Sequence, residues 1–422
     1  MVLSVISGVL LILCFPKFNL NFLAWVSLVP FFLSLMRCSS VKQAVLNGLV
    51  FALVYFGGVF FWVTSVSRWV GAFGWLAWAS LVLYQSVYIM IFAFGAYLAL
   101  RSFNRSTNLV IVPFMWGMVE WLRSFGEFGV PGGLVGLTQY QNLVVLQLAS
   151  STGVYGVSYL IVTVNLLIAM FLAAEGSFIE KAFGLQLKIA YVAVLLTAVY
   201  TTGVDKLNKK ISDPYEREVK IALIQPNIDQ ASKLNPRNTY DMLGLLDFMS
   251  RSSFSKEPDI IIWPETAVMS FIEKDAAALL KLKDITKKGK CYLITGGFYS
   301  KDGKLFNSVF SVSPDGNLVS RYDKQHLVPF GEYLPFKWAV YPFLKSTGYF
   351  ESDQTGNSGA EMLTAGPLRI GGLICFESLF DGLAKERSRG ALFLLTVTND
   401  GWFGSSSAAE QHIMAAPFRA VE

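Results

Sequence analysis

The sequence predicts a multi-span α-helical membrane domain followed by an α/β layered domain. Three observations predict it. Charged residues make up 15% of the 422 residues, against about 25% in soluble proteins, and the deficit lies in the first half. Mean hydropathy is +0.47. From Val219 onward, short apolar runs alternate with polar stretches of helical period, the pattern of strands alternating with helices. The boundaries this gives are 1–203 for the membrane domain, 204–218 for a linker and 219–422 for the layered domain.

Length and hydropathy give about seven spans, at 2–15, 20–36, 43–63, 73–100, 108–122, 152–173 and 187–203. Phe15-Pro16 interrupts the first two, which also read as one kinked segment. No basic stretch precedes the first apolar run and no small-residue cleavage site follows it, so it reads as retained rather than as a signal peptide. With the N-terminus inside, Arg37, Lys42, Arg101, Arg105, Lys181 and Lys188 fall in inside loops, and Lys17, Arg68 and Arg123 in outside loops. That bias agrees with the positive-inside rule and puts residue 204 onward outside the cytoplasm. Glu120-Trp121-Leu122-Arg123 closes the fifth span. It reads as an interfacial anchor with Arg123 snorkelling, or as a lipid-headgroup contact. Val130-Pro131-Gly132-Gly133 then predicts a re-entrant or surface loop.

In the second half the predicted strands are Val219–Gln225, Asp259–Trp263, Cys291–Gly296, Asn307–Val312, Leu318–Tyr322, Leu368–Ile374 and Ala391–Val397. Tyr240–Ser250 and Asp275–Lys288 read as helices between them, and Glu351–Glu361 as a polar loop. Leu334–Phe350 mixes aromatics, Trp338 among them, with Lys337 and Lys345 and has no clean period. It reads either as a buried connection or as a mobile flap whose aromatics dip into a lipid interface.

Composition excludes several functions. A net charge of +5 does not indicate nucleic-acid binding and suits an anionic lipid surface. Cys14, Cys38, Cys291 and Cys375 match neither a disulfide framework nor zinc-ligand spacing, and with two histidines no metal site or cofactor is expected.

Three strand ends carry the chemistry. The apolar run Asp259–Trp263 meets Pro264, which cannot donate to a ladder, so Glu265 is presented just past the strand. There, partial desolvation should raise its pKa toward that of a useful base. Lys324 closes the strand at 318–322, and the apolar sequence after it turns Lys324 and Glu332 toward an enclosed site. Cys375 follows the strand at 368–374. A neighbouring ammonium is expected to lower the thiol's pKa and favour thiolate. Glu265 can take the thiol proton, while Lys324 and backbone N–H groups hold the oxyanion. A Cys375–His326 pair is the competing assignment, since His326 shares a face with Lys324 in an extended segment. Asn399-Asp400-Gly401 is strong turn chemistry, and Trp402 beyond it is placed to line an apolar pocket.

WPET at 263–266, YDKQHLVPFGE at 322–332, ICFES at 374–378 and NDGWFG at 399–404 together resemble the nitrilase, or carbon–nitrogen hydrolase, superfamily. With the multi-span half, including EWLR at 120–123, the whole chain is similar to the bacterial apolipoprotein N-acyltransferase family. The resemblance implies an αββα sandwich, with Glu265 as general base, Lys324 as oxyanion stabiliser and Cys375 as nucleophile. It implies Glu332 and Glu377 as supporting acids, and Trp402, Phe376 and Trp338 as substrate-binding positions. The implied reaction is ping-pong. An acyl chain passes from a phospholipid, usually phosphatidylethanolamine, to the cysteine as a thioester, and then to the N-terminal amine of a diacylated apolipoprotein. The implied place is the bacterial inner membrane, with the catalytic domain on the periplasmic side. Phe376 stands where the family often has Tyr. The chain also stops at Glu422, where family members continue, so a C-terminally incomplete sandwich is expected. The competing readings are a membrane-tethered amidase with the same triad and an inactive, truncated lipid-binding membrane protein.

Overall fold

A computed structural model of the chain describes residues 1–209, 218–345, 353–357, 359 and 361–422. Most of the predicted linker, the end of the Leu334–Phe350 segment and part of the Glu351–Glu361 loop lie outside the described residues. Cα packing divides the chain into two units, Met1–Ile211 with Ser405–Glu422, and Ser212–Gly404.

The first unit is helical. Helices cover Val2–Leu13, Val41–Val59, Phe73–Ser102, Arg105–Arg123, Ala149–Ala173 and Phe178–Asn208. Four are long and apolar enough to cross a membrane: Val41–Val59, Phe73–Ser102, Ala149–Ala173 and Gly184–Asn208. The other three predicted spans also lie on helices, with a physical reason for each difference. Val2–Leu13 has only 12 residues. Asn21–Met36 is broken into short pieces around Leu28, where Asn165 Oδ1 accepts the Leu28 and Val29 N–H groups at 2.8 and 3.1 Å. Arg105–Arg123 buries Glu120 and Arg123. Close approach sets the core. A Cβ at Gly48 would lie 2.6 Å from Ala93 Cβ, so that glycine lets two helix backbones pack directly. Phe31 stacks on Phe51 at 4.4 Å and Phe92 meets Trp116 edge-on at 4.8 Å.

Arg123 does not snorkel. It is 1% exposed, and its guanidinium donates to Gln85 Oε1 at 3.0 Å and to the carbonyls of Val130, Gly132 and Gly133 at 3.1, 2.9 and 2.5 Å. Glu120 Oε1 accepts Val135 N–H at 2.8 Å. The loop after the helix folds back, and its carbonyls need donors that only a buried guanidinium supplies in this number. Both sequence readings of Arg123, surface anchor and headgroup contact, give way to a loop clamp.

The helix Ala408–Val421 also belongs to this unit. Met414 and Phe418 enter its core, Gln411 Nε2 donates to Val59 O at 2.8 Å, and Glu422 Oε1 accepts Val154 N–H at 2.8 Å.

The second unit is a two-sheet sandwich. Its strands are β1 Ile221–Leu223, β2 Ile260–Ile262, β3 Val268–Phe271, β4 Tyr292–Lys301, β5 Lys304–Val312, β6 Leu318–Asp323, β7 Leu363–Ala365, β8 Leu368–Ile374 and β9 Phe393–Val397. One sheet runs β1-β2-β4-β5-β6 with β3 also on β4, and the other runs β7-β8-β9. Strand alternation builds the layers. Ile261 and Trp263 pack with Leu243, Leu246, Leu282 and Ile285 of the helices Thr239–Ser253 and Ala276–Gly289. Ile260 and Ile262 point the other way and meet Ile370, Ile374, Leu395 and Val397 of the second sheet. The helix Asp381–Ser388 packs on β8 and β9, which completes the αββα order. All seven predicted strands and both predicted helices form. The strands β3 and β7, of four and three residues, are additions too short for a period to mark.

Candidate active site

Each strand end is shaped by a local backbone constraint. Trp263 N–H still donates to Ile294 O at 2.8 Å and Pro264 O accepts Gly296 N–H at 3.3 Å, but Pro264 offers no N–H, and the regular ladder with β4 resumes at Val268. Between them Glu265 and Thr266 form a tight excursion, with Thr266 at φ +45°. A Cβ at Gly296 would sit 2.4 Å from Thr266 N, so the excursion crosses β4 where there is no side chain. Trp263 Nε1 donates to Ser250 Oγ at 2.9 Å and pins the strand behind it.

Lys324 N–H donates to Asn307 O at 2.9 Å, which ties the end of β6 to β5. Lys324 is 1% exposed, so it is not a surface lysine. Its Nζ donates to Glu332 Oε1 at 2.8 Å and lies 4.0 Å from Glu265 Oε1. Asn307 Nδ2 donates to Glu265 Oε1 at 2.7 Å and reaches Glu332 Oε1 at 3.4 Å. Glu332 Oε2 accepts Val328 N–H at 2.8 Å. Two carboxylates, one ammonium and one amide thus form a single buried cluster.

Cys375 stands between β8 and a 3-10 turn at Cys375–Leu379, at φ +53°. That conformation is uncommon for a residue with a side chain and persists where its surroundings over-determine it. Glu377, fully buried, supplies that constraint. Its oxygens accept Ile374 N–H at 2.7 Å, Gln325 N–H at 2.7 Å, His326 N–H at 3.0 Å and Tyr322 O–H at 2.9 Å. One carboxylate therefore joins the turn that carries Cys375 to the segment that follows Lys324.

Electrostatics give each group a state. Burial, above all, raises the Glu265 pKa, and Glu332 adds to the rise; Lys324, Asn307 and Lys233 pull the other way. Burial opposes the charge on Lys324, but Glu332 and Glu265 outweigh it and hold the ammonium protonated. Burial and then Glu265 push the Cys375 thiol up, and Lys324 and a hydrogen bond with Thr398 offset only part of that. The expected thiolate is therefore corrected. At rest these influences favour the thiol form of Cys375 over the thiolate.

The remaining expected positions differ. The His326 ring lies 3.9 Å from Phe380 and 5.9 Å from Phe376, while the Cys375 thiol has Thr398 as a hydrogen-bond partner. Phe376 meets Phe380 edge-on at 5.0 Å. Trp402 is half-buried in a 3-10 turn at Asp400–Phe403. Trp338 is 84% exposed on the helix Lys337–Leu344, while Leu334 just before that helix is buried, so the described part of the segment is not buried throughout.

Sequence reasoning missed Asn307, Thr398, Gln230 and Lys233. Asn307 and Thr398 sit at the ends of recognised strands, where a polar residue next to an apolar run was the available signal. Gln230 and Lys233 lie on a helix of five residues, Gln230–Leu234, too short for a period. Its Asp229 N-cap, accepting Ala231 and Ser232 N–H groups at 2.9 and 3.2 Å, was the signal for that helix.

Residues 7–167 match the family described as Apolipoprotein N-acyltransferase N-terminal domain, and residues 220–422 the family described as Carbon-nitrogen hydrolase. An apolipoprotein N-acyltransferase of Geobacter metallireducens is 34% identical over 430 residues, covering 100% of this chain and 81% of that protein. One from Allorhizobium ampelinum is 31% identical over 322 residues, covering 73% of this chain and 58% of that protein. Among solved structures, an amidase from Nesterenkonia sp. aligns at TM-score 0.32 and 18% identity, over 43% of this chain and 64% of that one. This chain belongs to the apolipoprotein N-acyltransferase family.

Proposed function

We propose that this chain N-acylates lipoproteins by a two-step transfer through Cys375, with Glu265 as the proton carrier and Lys324 as the oxyanion donor. The observation that carries the reading is the convergence of the buried Glu265 and Lys324 with the half-buried Cys375, three groups that feel one another's charge. Family membership and the four apolar helices supply the membrane setting.

In the first step the Cys375 S–H proton passes to Glu265 as sulfur attacks the ester carbonyl of a phospholipid. The carbonyl oxygen becomes an oxyanion beside the Lys324 ammonium, which has N–H bonds beyond the one given to Glu332. The C–O bond breaks, the leaving alkoxide takes the proton from Glu265, and a thioester remains. In the second step the amine of a diacylated cysteine attacks the thioester, Glu265 takes an N–H proton, the C–S bond breaks and the sulfur is reprotonated. Glu265 returns to its starting state each time, so one carboxylate serves both halves. Its raised pKa suits that exchange better than that of an exposed carboxylate.

Phosphatidylethanolamine is the donor we assign, and the periplasmic face of the inner membrane is the place. The loop charges support the second assignment. The boundaries 1–203 and 219–422 are the division of labour we adopt. Glu332 and Glu377 act by holding Lys324 and the Cys375 turn. Phe376 and Trp402 are the apolar groups we assign to the acyl chain, and Trp338, exposed, is assigned to contact with lipid outside the cluster. Intact mass of the protein after incubation with phosphatidylethanolamine tests the first half-reaction. A hydroxylamine-labile gain of one acyl chain, absent in Cys375→Ala, is expected. An adduct that persists in Cys375→Ala rules the mechanism out.

A further inference from the structure

Lys233 is a buried ammonium without a counter-ion in contact. It is 7% exposed, and its Nζ donates to the main-chain carbonyl of Glu265 at 3.0 Å. Among the described residues it makes no ion pair. A lysine in such a place costs stability, because desolvation penalises the charge and a neutral carbonyl returns little of it. A neutral donor reaching the same carbonyl would avoid that cost. The hydrogen bond alone therefore does not account for the charge, and the charged group that acts on it is Glu265.

We propose that Lys233 is a positioning residue for the acyl transfer, whose ammonium fixes the Glu265 excursion through its carbonyl and holds the Glu265 side chain ionised and ready to accept a proton. The proposal rests on the reading of Glu265 as the base. Three further observations support it. The Glu265 carbonyl is the atom just before Thr266, the residue at φ +45°, so a donor there holds the least relaxed point of the excursion. The same helix carries Gln230, 2% exposed, whose Oε1 accepts Asn399 Nδ2 at 3.0 Å, so one short helix braces the segments after both β2 and β9. Burial brings the Lys233 pKa down to about 8, which leaves it charged at neutral pH.

The charged and titratable groups facing Glu265 are Lys324 and Glu332 from the β6 end and the segment after it, Lys233 from the short helix, and Cys375 from the turn after β8. Lys324 is paired in contact with Glu332, whereas Lys233 makes no ion pair among the described residues and its charge acts on Glu265.

The test is the initial rate of thioester formation by the full chain from phosphatidylethanolamine in mixed micelles, from roughly pH 5 to 9. Wild type is compared with Lys233→Gln, Lys233→Met and Lys233→Arg, each checked for a cooperative melt. Loss of the charge should move the acid limb of the profile up by about one pH unit in the Gln and Met variants. Lys233→Arg should keep the limb where wild type has it, even if its larger head lowers the plateau. An unchanged acid limb in both charge-free variants overturns the proposal, whatever happens to the plateau rate. So does a failure of both to fold while Lys233→Arg folds, because the charge would then serve structure alone. Glu265→Gln runs alongside. If it still forms the thioester at the wild-type rate, the base reading fails, and that failure is separate from any result at position 233.

Discussion

Arg123 in the helical unit and Lys324 in the catalytic unit are both 1% exposed, and they are opposite kinds of buried cation. Arg123 commits its guanidinium to four fixed oxygens, three of them main-chain carbonyls of one loop. Lys324 makes one hydrogen bond of 2.8 Å to Glu332 and stands 4.0 Å from Glu265. The planar fork of Arg suits several fixed acceptors at once, whereas the ammonium of Lys is a point charge that can turn toward an acceptor that forms later. Burial by itself therefore does not mark the cation of the proposed active site. What distinguishes Lys324 is donor capacity left over beside a carboxylate whose proton affinity is raised.

The largest effect that sharpens this contrast is at Lys324. Lys324→Met should lower the rate of thioester formation by roughly 100- to 1000-fold, the usual loss for an oxyanion donor. Its thermal midpoint should fall far less than that of Arg123→Met. Kinetics and melting of the same samples check this, and a Lys324→Met protein that melts early but acylates normally breaks the contrast.

Arg123→Met comes next. It leaves four oxygens without their donor and should destabilise the helical unit by about 3 kcal/mol, while thioester formation per folded molecule changes by less than about threefold. Differential scanning in detergent with active-site titration measures both. Glu377→Gln follows, because an amide offers one acceptor and one donor to a site that presents only donors. The expected cost is about 2 kcal/mol, with a slower acylation as the Cys375 turn loosens.

The smallest effect is a pH dependence of stability. Burial raises the folded-state pKa of Glu265 above its ordinary 4.5. Such a group contributes most to stability below 4.5 and loses that contribution as pH rises through the folded value. Glu265→Gln removes the loss. It should therefore raise the melting midpoint at pH 7 relative to wild type by more than it does at pH 5, even though it removes the proposed base. Equal changes at the two pH values would show that Glu265 is not held against its charge.

The three strand ends were legible in the sequence because each sets a polar group directly against an apolar run. Pro264 before Glu265, and the lone Lys324 and Cys375, mark where a buried strand stops and a side chain is presented. The α/β layering was legible in the alternation of strands and helices, and the αββα order came from the resemblance; strands such as Ile260–Ile262, apolar on both faces, need the cover on both sides that this order supplies. The state of Cys375 was not legible. The sequence supplies a neighbouring ammonium, but the sign of the shift depends on burial and on how near Glu265 comes, and both are properties of the fold. The role of Arg123 was hidden for the same reason. An arginine at a helix end looks like an anchor until the loop after it turns back and presents its carbonyls. Lys233 lay beyond reach because its partner is a main-chain atom, and main-chain atoms leave no mark in a residue pattern.

The proposed transferase differs from a hydrolase in that an amine, and not water, resolves the acyl group carried on Cys375. The direct measurement is a chase. The protein is charged from phosphatidylethanolamine with an isotope-labelled acyl chain, freed of donor, and mixed with a diacylglyceryl-cysteine lipopeptide. Label is expected to leave the protein and to be recovered in amide linkage on the lipopeptide in matching amounts, with none transferred in Cys375→Ala. Label released as free fatty acid at the same rate with and without the lipopeptide would contradict it and make the protein a hydrolase.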